Sequence, residues 1–316
     1  MHLKAEQNRV QTSQNAPPDR DVGYGASNAC IIVPTYNRPR ELARCLERLA
    51  QLEGGPWPVV VVDDGGAEPV ADICARFGHV TLVRQENTGP AGARNRGARE
   101  AEGYDLLLFI DDDCEPEPDW ARELAAAQGG VEGRMAGGRV INALPGNPYS
   151  AASQALCSFL YDFYHATDSD MAFFTTNNIC CRRQDFLDLG GFDTGFARAA
   201  AEDRDFGIRW RDAGGTLVYA PGAVVAHAHE LALGSFWRQH SNYGRGARTL
   251  HLAMDQRADE RPKLEGARFY LGMLTSPFRH GGTHPVFETI LVGLSQVAMV
   301  SGYINAFRAE RGGRSV

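Results

Sequence analysis

The sequence lacks a regular pattern of cysteines, and it lacks an excess of basic residues. Its seven cysteines are an odd number at irregular spacing, which excludes a disulfide framework and favours buried, reduced thiols in a cytosolic protein. The formal net charge of −7 argues against broad binding to nucleic acid. With 316 residues, of which 43% are hydrophobic, the chain is long enough to bury a sizeable core.

The sequence also lacks a secretory signal and any uninterrupted apolar run of about 18 residues. Residues 1–27 are polar, and we expect them to form a disordered or loosely attached arm. The most apolar segment, Pro285–Phe307, is interrupted by polar residues such as Glu288, Gln296 and Asn305. Two interpretations stay open for this segment: a helix packed on the protein body, or a helix that lies in a membrane interface.

Two phosphate-binding motifs are absent as well. There is no G-x-x-x-x-G-K-[ST] loop and no G-x-G-x-x-G after the first apolar run, which disfavours P-loop hydrolysis and the usual dinucleotide site. The segment "ENTGPAGARNRGARE" (residues 86–100) does place two glycines ahead of a predicted helix and an arginine, Arg94, within it. Glycines at a helix start allow an anion to approach the backbone closely.

The first half of the chain contains short apolar runs that alternate with amphipathic segments. The runs predict strands buried on both faces, and the segments between them predict helices, so a mostly parallel sheet with helices on both sides is expected. The strands are predicted within Ala29–Pro34, Trp57–Asp64, His79–Gln85 and Tyr104–Asp113, and the helices within Arg38–Leu52, Pro69–Phe77 and Ala91–Ala101. Ligands of such sheets bind beyond the carboxyl ends of the strands.

Polar residues follow each of the four predicted strands. They are Thr35, Tyr36 and Asn37, then Asp63 and Asp64, then Glu86 and Asn87, and finally Asp111, Asp112 and Asp113. If the strands are parallel, all of these side chains meet at one edge of the sheet, which is the predicted ligand site. Tyr36 can stack on a base, and Asp63 and Asp64 can accept hydrogen bonds from a base or ribose. For Asp64, capping of the next turn is the structural alternative.

The second half of the chain predicts a less regular arrangement. We expect a strand near Met135–Asn142, then a further strand followed by a short helix that begins near Gln184, and an amphipathic helix within residues 200–215. The segment Thr216–Glu230 predicts two strands joined by a Pro-Gly turn, and the chain is expected to be mainly helical from about Ser235. The predicted organisation is therefore an arm (1–27), one composite α/β domain (28–232) and a helical extension (233–316).

Three groups of residues are candidates for chemistry. The three consecutive aspartates suit a hard divalent cation whose remaining ligands are substrate phosphates, and the alternative is a charged turn. Glu202 and Asp203 begin a predicted helix, where they either complement the helix dipole or serve as a general base. His227 and His229 alternate in a strand and point to one face, which makes them candidate metal ligands.

The order of these segments resembles the signatures of family 2 glycosyltransferases with a GT-A fold. The resemblance rests on "VPTYNR", "VVDDGG", "NTGPAGARNRG", "FIDDDCEP", "GGFD" and "EDRDFGIRW", and it covers roughly residues 30–246. It implies a Rossmann-like sheet and metal-dependent transfer, with inversion, of a sugar from a nucleotide-diphospho-sugar, with UDP favoured. The implied cofactor is Mn²⁺ or Mg²⁺. The Q-x-x-R-W pattern of processive synthases is absent near residues 236–246, which argues against a polymer synthase.

The resemblance also implies roles for individual residues. The implied nucleotide site consists of Pro34, Thr35, Tyr36, Asn37, Arg38, Asp63, Asp64, Arg94, Asp111 and Asp112. Asp111 and Asp113 match the metal-site D-x-D, in which the last acid binds the metal, and His227 or His229 completes the site. Asp203 matches the catalytic base, with Glu202 as the second candidate. Asn177 and Asn178 match the sugar and acceptor pocket.

Two other functions stay open at the level of sequence. One is a nucleotidyltransferase that makes nucleotide sugars, although the glycine-rich basic loop that it needs after the first strand is absent. The other is a non-catalytic partner that binds nucleotide sugars, although its acidic motifs would be expected to be broken. The acceptor is a glycan, a lipid-linked glycan or a small molecule. The expected location is the cytoplasm, with peripheral contact to the inner membrane face and a homodimer as open alternatives.

Overall fold

The computed structural model describes residues 25–166, 173–196, 200–257 and 265–311. Most of the predicted arm, residues 1–24, lies outside this part of the chain. Within the described residues, one sheet contains the strands β1 (Ala29–Thr35), β2 (Val59–Asp63), β3 (Val80–Arg84), β4 (Leu106–Phe109), β5 (Cys114–Pro116), β6 (Arg134–Asn142), β7 (Ile179–Arg182) and β8 (Thr216–His227). Their order across the sheet is β3-β2-β1-β4-β7-β6-β8-β5.

The helices cover the sheet and form the C-terminal part of the described chain. They are α1 (Pro39–Leu49), α2 (Ala71–Cys74), α3 (Gly89–Glu100), α4 (Trp120–Gln128), α5 (Pro148–Ala166), α6 (Arg183–Asp188), α7 (Glu202–Asp212), α8 (Leu233–Arg257), α9 (Ala267–Thr275), α10 (Pro277–His280) and α11 (Pro285–Arg311).

The four strands predicted from the first half are parallel, as expected. β1 pairs with β2 and β4, and β2 pairs with β3. All seven residues of β1 are buried because alternate side chains enter the two cores on either side of the sheet. Ile31 packs in the core that also contains Leu42 and Leu46 of α1, whereas Ile32 packs with Val62 in the opposite core. Each fully buried aliphatic side chain of this kind contributes about 1.5–3 kcal/mol.

The second half of the sheet is mixed. β7 runs antiparallel to both β4 and β6, and β5 runs antiparallel to β8. The predicted Pro-Gly turn within Thr216–Glu230 is wrong, because β8 is one strand that pairs with β6 along its length. The register passes from Gly138↔Ala220 to Arg139↔Val224, so three residues of β8, beginning with Pro221, bulge out. A bulge accommodates a proline, which has no N–H to donate to the ladder.

The helical segment after β8 packs on the rest of the molecule and on itself. α8 and α11 lie so close that a Cβ at Gly302 would overlap the Ser241 carbonyl oxygen, and one at Gly244 would overlap the Met299 carbonyl oxygen. Among the described residues, α11 is the one helix long and apolar enough to cross a membrane, and 33% of its most apolar window is buried.

Candidate active site

The three aspartates after β4 take different partners, which answers how three adjacent carboxylates are accommodated. Arg94 Nη2 donates to Asp111 Oδ1 at 2.6 Å. Asp112 accepts from Thr35 Oγ1 at 2.7 Å and from Arg38 Nη1 at 3.2 Å. Asp113 accepts from the same Arg38 nitrogen at 2.8 Å. The ends of β1 and β4 are neighbours in the sheet, so their polar residues meet as predicted.

Burial and neighbouring charge act differently on the two buried aspartates. Burial raises the pKa of Asp112 to about 7, although Arg38 works in the opposite direction. Burial also works to raise the pKa of Asp113, but His227 and Arg38 outweigh it and hold that pKa below its ordinary value. Asp113 is thus the carboxylate that stays ionised, and it is the better ligand for a cation.

His227, at the end of β8, brings its Nε2 atom to 3.2 Å from Asp113 Oδ1. Burial disfavours a charged imidazole, but Asp113 reverses this and raises the pKa of His227. His229 lies two residues later, with its ring centre 5.2 Å from that of His227. Burial and the neighbouring His227 lower the pKa of His229 to about 4. Of the two histidines, His227 is the one in direct contact with Asp113.

The donor atoms around Asp113 fit a divalent cation. Ligand atoms of Asp113, Cys114 and His227 all lie within 4.8 Å of one another. A carboxylate and an imidazole 3.2 Å apart are a donor pair that Mn²⁺ accepts. Cys114 is a poorer ligand, because burial raises the pKa of its thiol well above the ordinary value and metals bind the thiolate. The two protein ligands leave the other positions of the ion for phosphate and water.

The two acids after β2 play different parts. Asp64 accepts the backbone N–H groups of Thr88 and Gly89 at the start of α3, both at 2.9 Å. Asp64 thus caps the start of α3, whereas the alternative left open by the sequence was capping of the next turn, and that turn is capped by Asp63. Asp63 accepts from the Gly66 N–H and from Arg84 Nη1, each at 2.9 Å. Asp63 therefore lies at the end of β2 and forms an ion pair with the Arg84 guanidinium.

The residues that follow β1 differ in exposure. Tyr36 is 50% exposed, so its ring can receive a planar ligand. Asn37 adopts a left-handed backbone with φ of 55°, and its Oδ1 accepts the Ala67 N–H at 2.7 Å. Pro34 lies inside β1 opposite Val62. Ile32 forms its backbone hydrogen bond on the side of β1 that faces β4. Pro34, two residues later, faces the same side. It lies beyond the last paired residue of β4, so the sheet needs no N–H group from this proline.

Arg94 links this edge of the sheet to the start of α7. The arginine is 2% exposed, and it donates from Nη1 to Glu202 Oε1 at 3.3 Å and from Nη2 to Asp111 at 2.6 Å. Its Nε has no hydrogen-bond partner in the described structure. One guanidinium in α3 therefore ties the predicted donor-binding acid to the predicted catalytic segment.

The start of α7 holds its two acids in unusual surroundings. Ala201 precedes them with a left-handed φ of 72°, a conformation that costs a non-glycine residue about 1–2 kcal/mol and clusters at functional sites. Burial, reinforced by Asp203, raises the pKa of Glu202 to about 7. Burial also raises the pKa of Asp203, although Arg204 opposes this. The Asp203 carboxylate accepts the Arg204 N–H at 2.8 Å.

Asn177 and Asn178 occupy different environments. Asn178 is fully buried, and its amide binds Trp120 Nε1 at 2.8 Å and the carbonyl oxygens of Arg139 and Ala223 at 3.0 Å. These bonds join α4, β6 and β8. Asn177 donates to Cys114 Sγ at 3.6 Å, so it lies beside the residue that follows Asp113.

Sequence reasoning missed Arg84, Gln85 and Asn142 at this edge. Arg84 pairs with Asp63, and Gln85 donates to Asp64 at 2.7 Å. Asn142 ends β6 opposite His227, and its Nδ2 is buried without a partner among the described residues. All three stand at or next to a strand end, so the rule that located the aspartates could have found them.

A half-sheet of parallel strands with acidic side chains at the strand ends, continued by a mixed half-sheet, is the arrangement of the GT-A fold. The chain belongs to glycosyl transferase family 2, whose family model matches residues 30–187.

Two curated proteins are similar in sequence to this chain, in addition to the match with the family model. A pre-mycofactocin glycosyltransferase of Mycobacterium tuberculosis is 29% identical over 242 residues, covering 74% of this chain and 50% of the relative. A validoxylamine A glucosyltransferase of Streptomyces hygroscopicus subsp. limoneus is 29% identical over 212 residues, covering 57% of this chain and 47% of the relative. The chain therefore spans about half the length of these curated relatives.

A solved structure supports the fold. The mannosyltransferase PcManGT of Pyrobaculum calidifontis, solved with GDP-Man and Mn²⁺, superposes with a TM-score of 0.60 at 17% identity, covering 91% of this chain and 90% of that one. At this identity the likeness concerns the fold alone. The predicted GT-A fold is confirmed.

Proposed function

We propose that the chain is a metal-dependent, inverting glycosyltransferase that moves a sugar from a nucleotide-diphospho-sugar to an acceptor hydroxyl. One observation carries the proposal: Arg94 joins the D-x-D carboxylate Asp111 to Glu202 at the start of α7. A donor held at the strand ends would thereby lie beside the acids of α7. Membership of glycosyl transferase family 2 supports the same conclusion.

The donor nucleotide would occupy the edge formed by the ends of β1, β2 and β4. The half-exposed ring of Tyr36 suits stacking on the base, and Thr35, Asp63 and Asp111 offer hydrogen-bonding groups for base and ribose. Arg38 forms ion pairs with both Asp112 and Asp113 and offsets part of their charge. The family resemblance favours uridine as the base.

Asp113 and His227 would hold Mn²⁺ or Mg²⁺. When bound, the ion supplies Lewis-acid stabilisation of the diphosphate leaving group. We choose His227 over His229 because its Nε2 contacts Asp113 directly. The retained charge of Asp113 follows from its lowered pKa.

Asp203 would act as the general base. Its carboxylate accepts the proton of the acceptor hydroxyl while the acceptor oxygen bonds to the anomeric carbon and the bond from that carbon to the diphosphate oxygen breaks. The raised pKa of Asp203 suits proton transfer near neutral pH. A single displacement inverts the anomeric centre. Glu202, held by Arg94, is the second candidate.

The acceptor is a glycan, a lipid-linked glycan or a small molecule, and transfer is non-processive. Asn177, beside Cys114, is the better of the two asparagines for the sugar pocket because Asn178 uses its amide in three internal hydrogen bonds. The proposed location is the cytoplasm, either free or peripheral on the inner membrane face.

The test is release of nucleoside diphosphate from a panel of nucleotide sugars with Mn²⁺. We expect Asp113→Asn to lower this activity about 100-fold or more, since a charge aimed at the developing leaving group is lost. Asp203→Asn should abolish transfer while nucleotide binding, measured by thermal shift with Mn²⁺, persists.

Asp72→Asn is the matched control, because Asp72 is an exposed aspartate of α2. It should keep the wild-type rate. Full activity of Asp113→Asn, or wild-type turnover in EDTA, would contradict a metal-dependent reaction.

A further inference from the structure

The outward side of α11 is apolar over five turns. We call Val286, Ile290, Val297, Val300 and Ile304 the outer face of α11; their exposed fractions run from 66% for Val286 to 41% for Ile304. Their spacing of three, four or seven residues puts them on one side of the helix. The opposite side packs against α8 through residues such as Gly302.

Exposed apolar side chains are concentrated in this part of the molecule. Ten of the sixteen large hydrophobic residues exposed in the described chain lie between Tyr270 and Ile304. They include Leu271 of α9 and Phe278 of α10, and both helices pack against α11. A concentration of exposed apolar side chains in one region of a protein marks an interaction site.

The exposed charges of α11 are positive and lie at its C-terminal end. Arg308 and Arg311 are exposed, and they continue the same side of α11 four and seven residues after Ile304. The two acids of α11 are both engaged: Glu288 is fully buried and accepts the N–H groups of Gly282 and His284. Glu310 is paired with Arg248 at 2.8 Å. The outer face therefore ends in two cations, although the whole chain carries a net charge of −7.

We propose that the outer face of α11 lies in the interface of a lipid bilayer that contains anionic lipid. An apolar helix side bordered by arginines is the arrangement that binds such a surface. The helix lies on the bilayer and does not span it, because spanning would separate Gly302 from Ser241 and Gly244 from Met299.

A second copy of the chain fits this face less well. In a twofold pairing of α11 helices, Arg308 and Arg311 would meet a partner helix whose carboxylates are buried or already paired. The arginines would then be covered without a counter-ion, which is costly. Anionic headgroups supply that counter-ion.

The test is flotation of the full chain with vesicles of phosphatidylcholine, alone or mixed with phosphatidylglycerol. We expect binding to the mixed vesicles, weakened by added NaCl, and little binding to phosphatidylcholine alone. Each arginine near an anionic surface contributes about fivefold to partitioning, so Arg308→Gln with Arg311→Gln should lower binding about 25-fold. Val297→Glu should lower it about tenfold or more.

Val131→Glu is the matched control, because Val131 is a 41% exposed valine outside the helical segment, and it should bind like the wild type. Melting curves check that each variant is folded. Failure of the wild type to float with mixed vesicles would overturn the proposal. It would also be overturned by a wild-type dimer in sedimentation velocity that Val297→Glu converts to monomer. The readout is independent of sugar transfer, so its failure leaves the proposed reaction untouched.

Discussion

At the scale of single residues, two arginines of the candidate site neutralise four carboxylates between them. Arg38 forms ion pairs with Asp112 and Asp113, and Arg94 forms ion pairs with Asp111 and Glu202. Arg94 is the more critical of the two because it is buried, and a charge left alone in the interior is far more costly than one at the surface.

The first prediction at this scale is a double-mutant cycle between Arg94 and Glu202. Arg94→Met alone should lower the free energy of unfolding by about 3–5 kcal/mol, because it leaves the Glu202 carboxylate buried without its partner. Adding Glu202→Gln should restore part of the loss, with a coupling energy of about 1–3 kcal/mol. Urea denaturation of the wild type, both single variants and the double variant measures it.

The control for this cycle is Arg96→Met with Glu100→Gln, an exposed ion pair of the same helix. That pair should couple by less than about 0.5 kcal/mol. Additive effects of Arg94→Met and Glu202→Gln would show that the buried contact does not stabilise the fold.

At the scale of elements, the close approach of α8 and α11 can be tested with glycines of one helix. Gly302→Ala should lower the free energy of unfolding by about 1–3 kcal/mol, since the new methyl group overlaps the Ser241 backbone. Gly293→Ala is the control: nothing lies within 4 Å of a Cβ at that position. The gain in helix propensity should leave it neutral or more stable by up to about 1 kcal/mol. Equal denaturation midpoints for the two variants would contradict the close crossing.

The elements also show what the sequence could and could not predict. β1, β2 and β4 were predictable because buried parallel strands are continuous apolar runs with polar residues at their ends. The single strand β8 was not, because Pro221-Gly222 indicates a turn locally, and only pairing with β6 converts it into a bulge. The bridge from Arg94 to Glu202 spans 108 residues of sequence, so no local pattern contains it. α4 and α5 had no counterpart among the predicted elements.

At the scale of the whole molecule, the described chain is expected to unfold as one unit. Gly246 of α8 packs against the Ala200 backbone next to the start of α7, and Phe236 of the same helix is fully buried in the core shared with Ile32 and Phe109. Helix α8, the first part of the predicted extension 233–316, therefore packs into the core of the predicted domain 28–232.

We expect a single calorimetric transition for the full chain, with calorimetric and van't Hoff enthalpies that agree. A chain ended after residue 232 should lack cooperative unfolding, because the apolar surface under α8 is exposed. Two separate transitions in the full chain, or a cooperative melt of the shortened one, would instead establish two independent domains.

The shared guanidinium of Arg94 has a consequence for the order of events on the enzyme. A ligand that takes over the hydrogen bond of Asp111 frees one arm of Arg94, and the arginine can then hold Glu202 more firmly and fix the start of α7. In the proposed reaction, the donor and acceptor sites would be thermodynamically linked through Arg94, and linkage is reciprocal. By whatever factor the donor tightens the binding of an acceptor analogue, that analogue must tighten the binding of the donor.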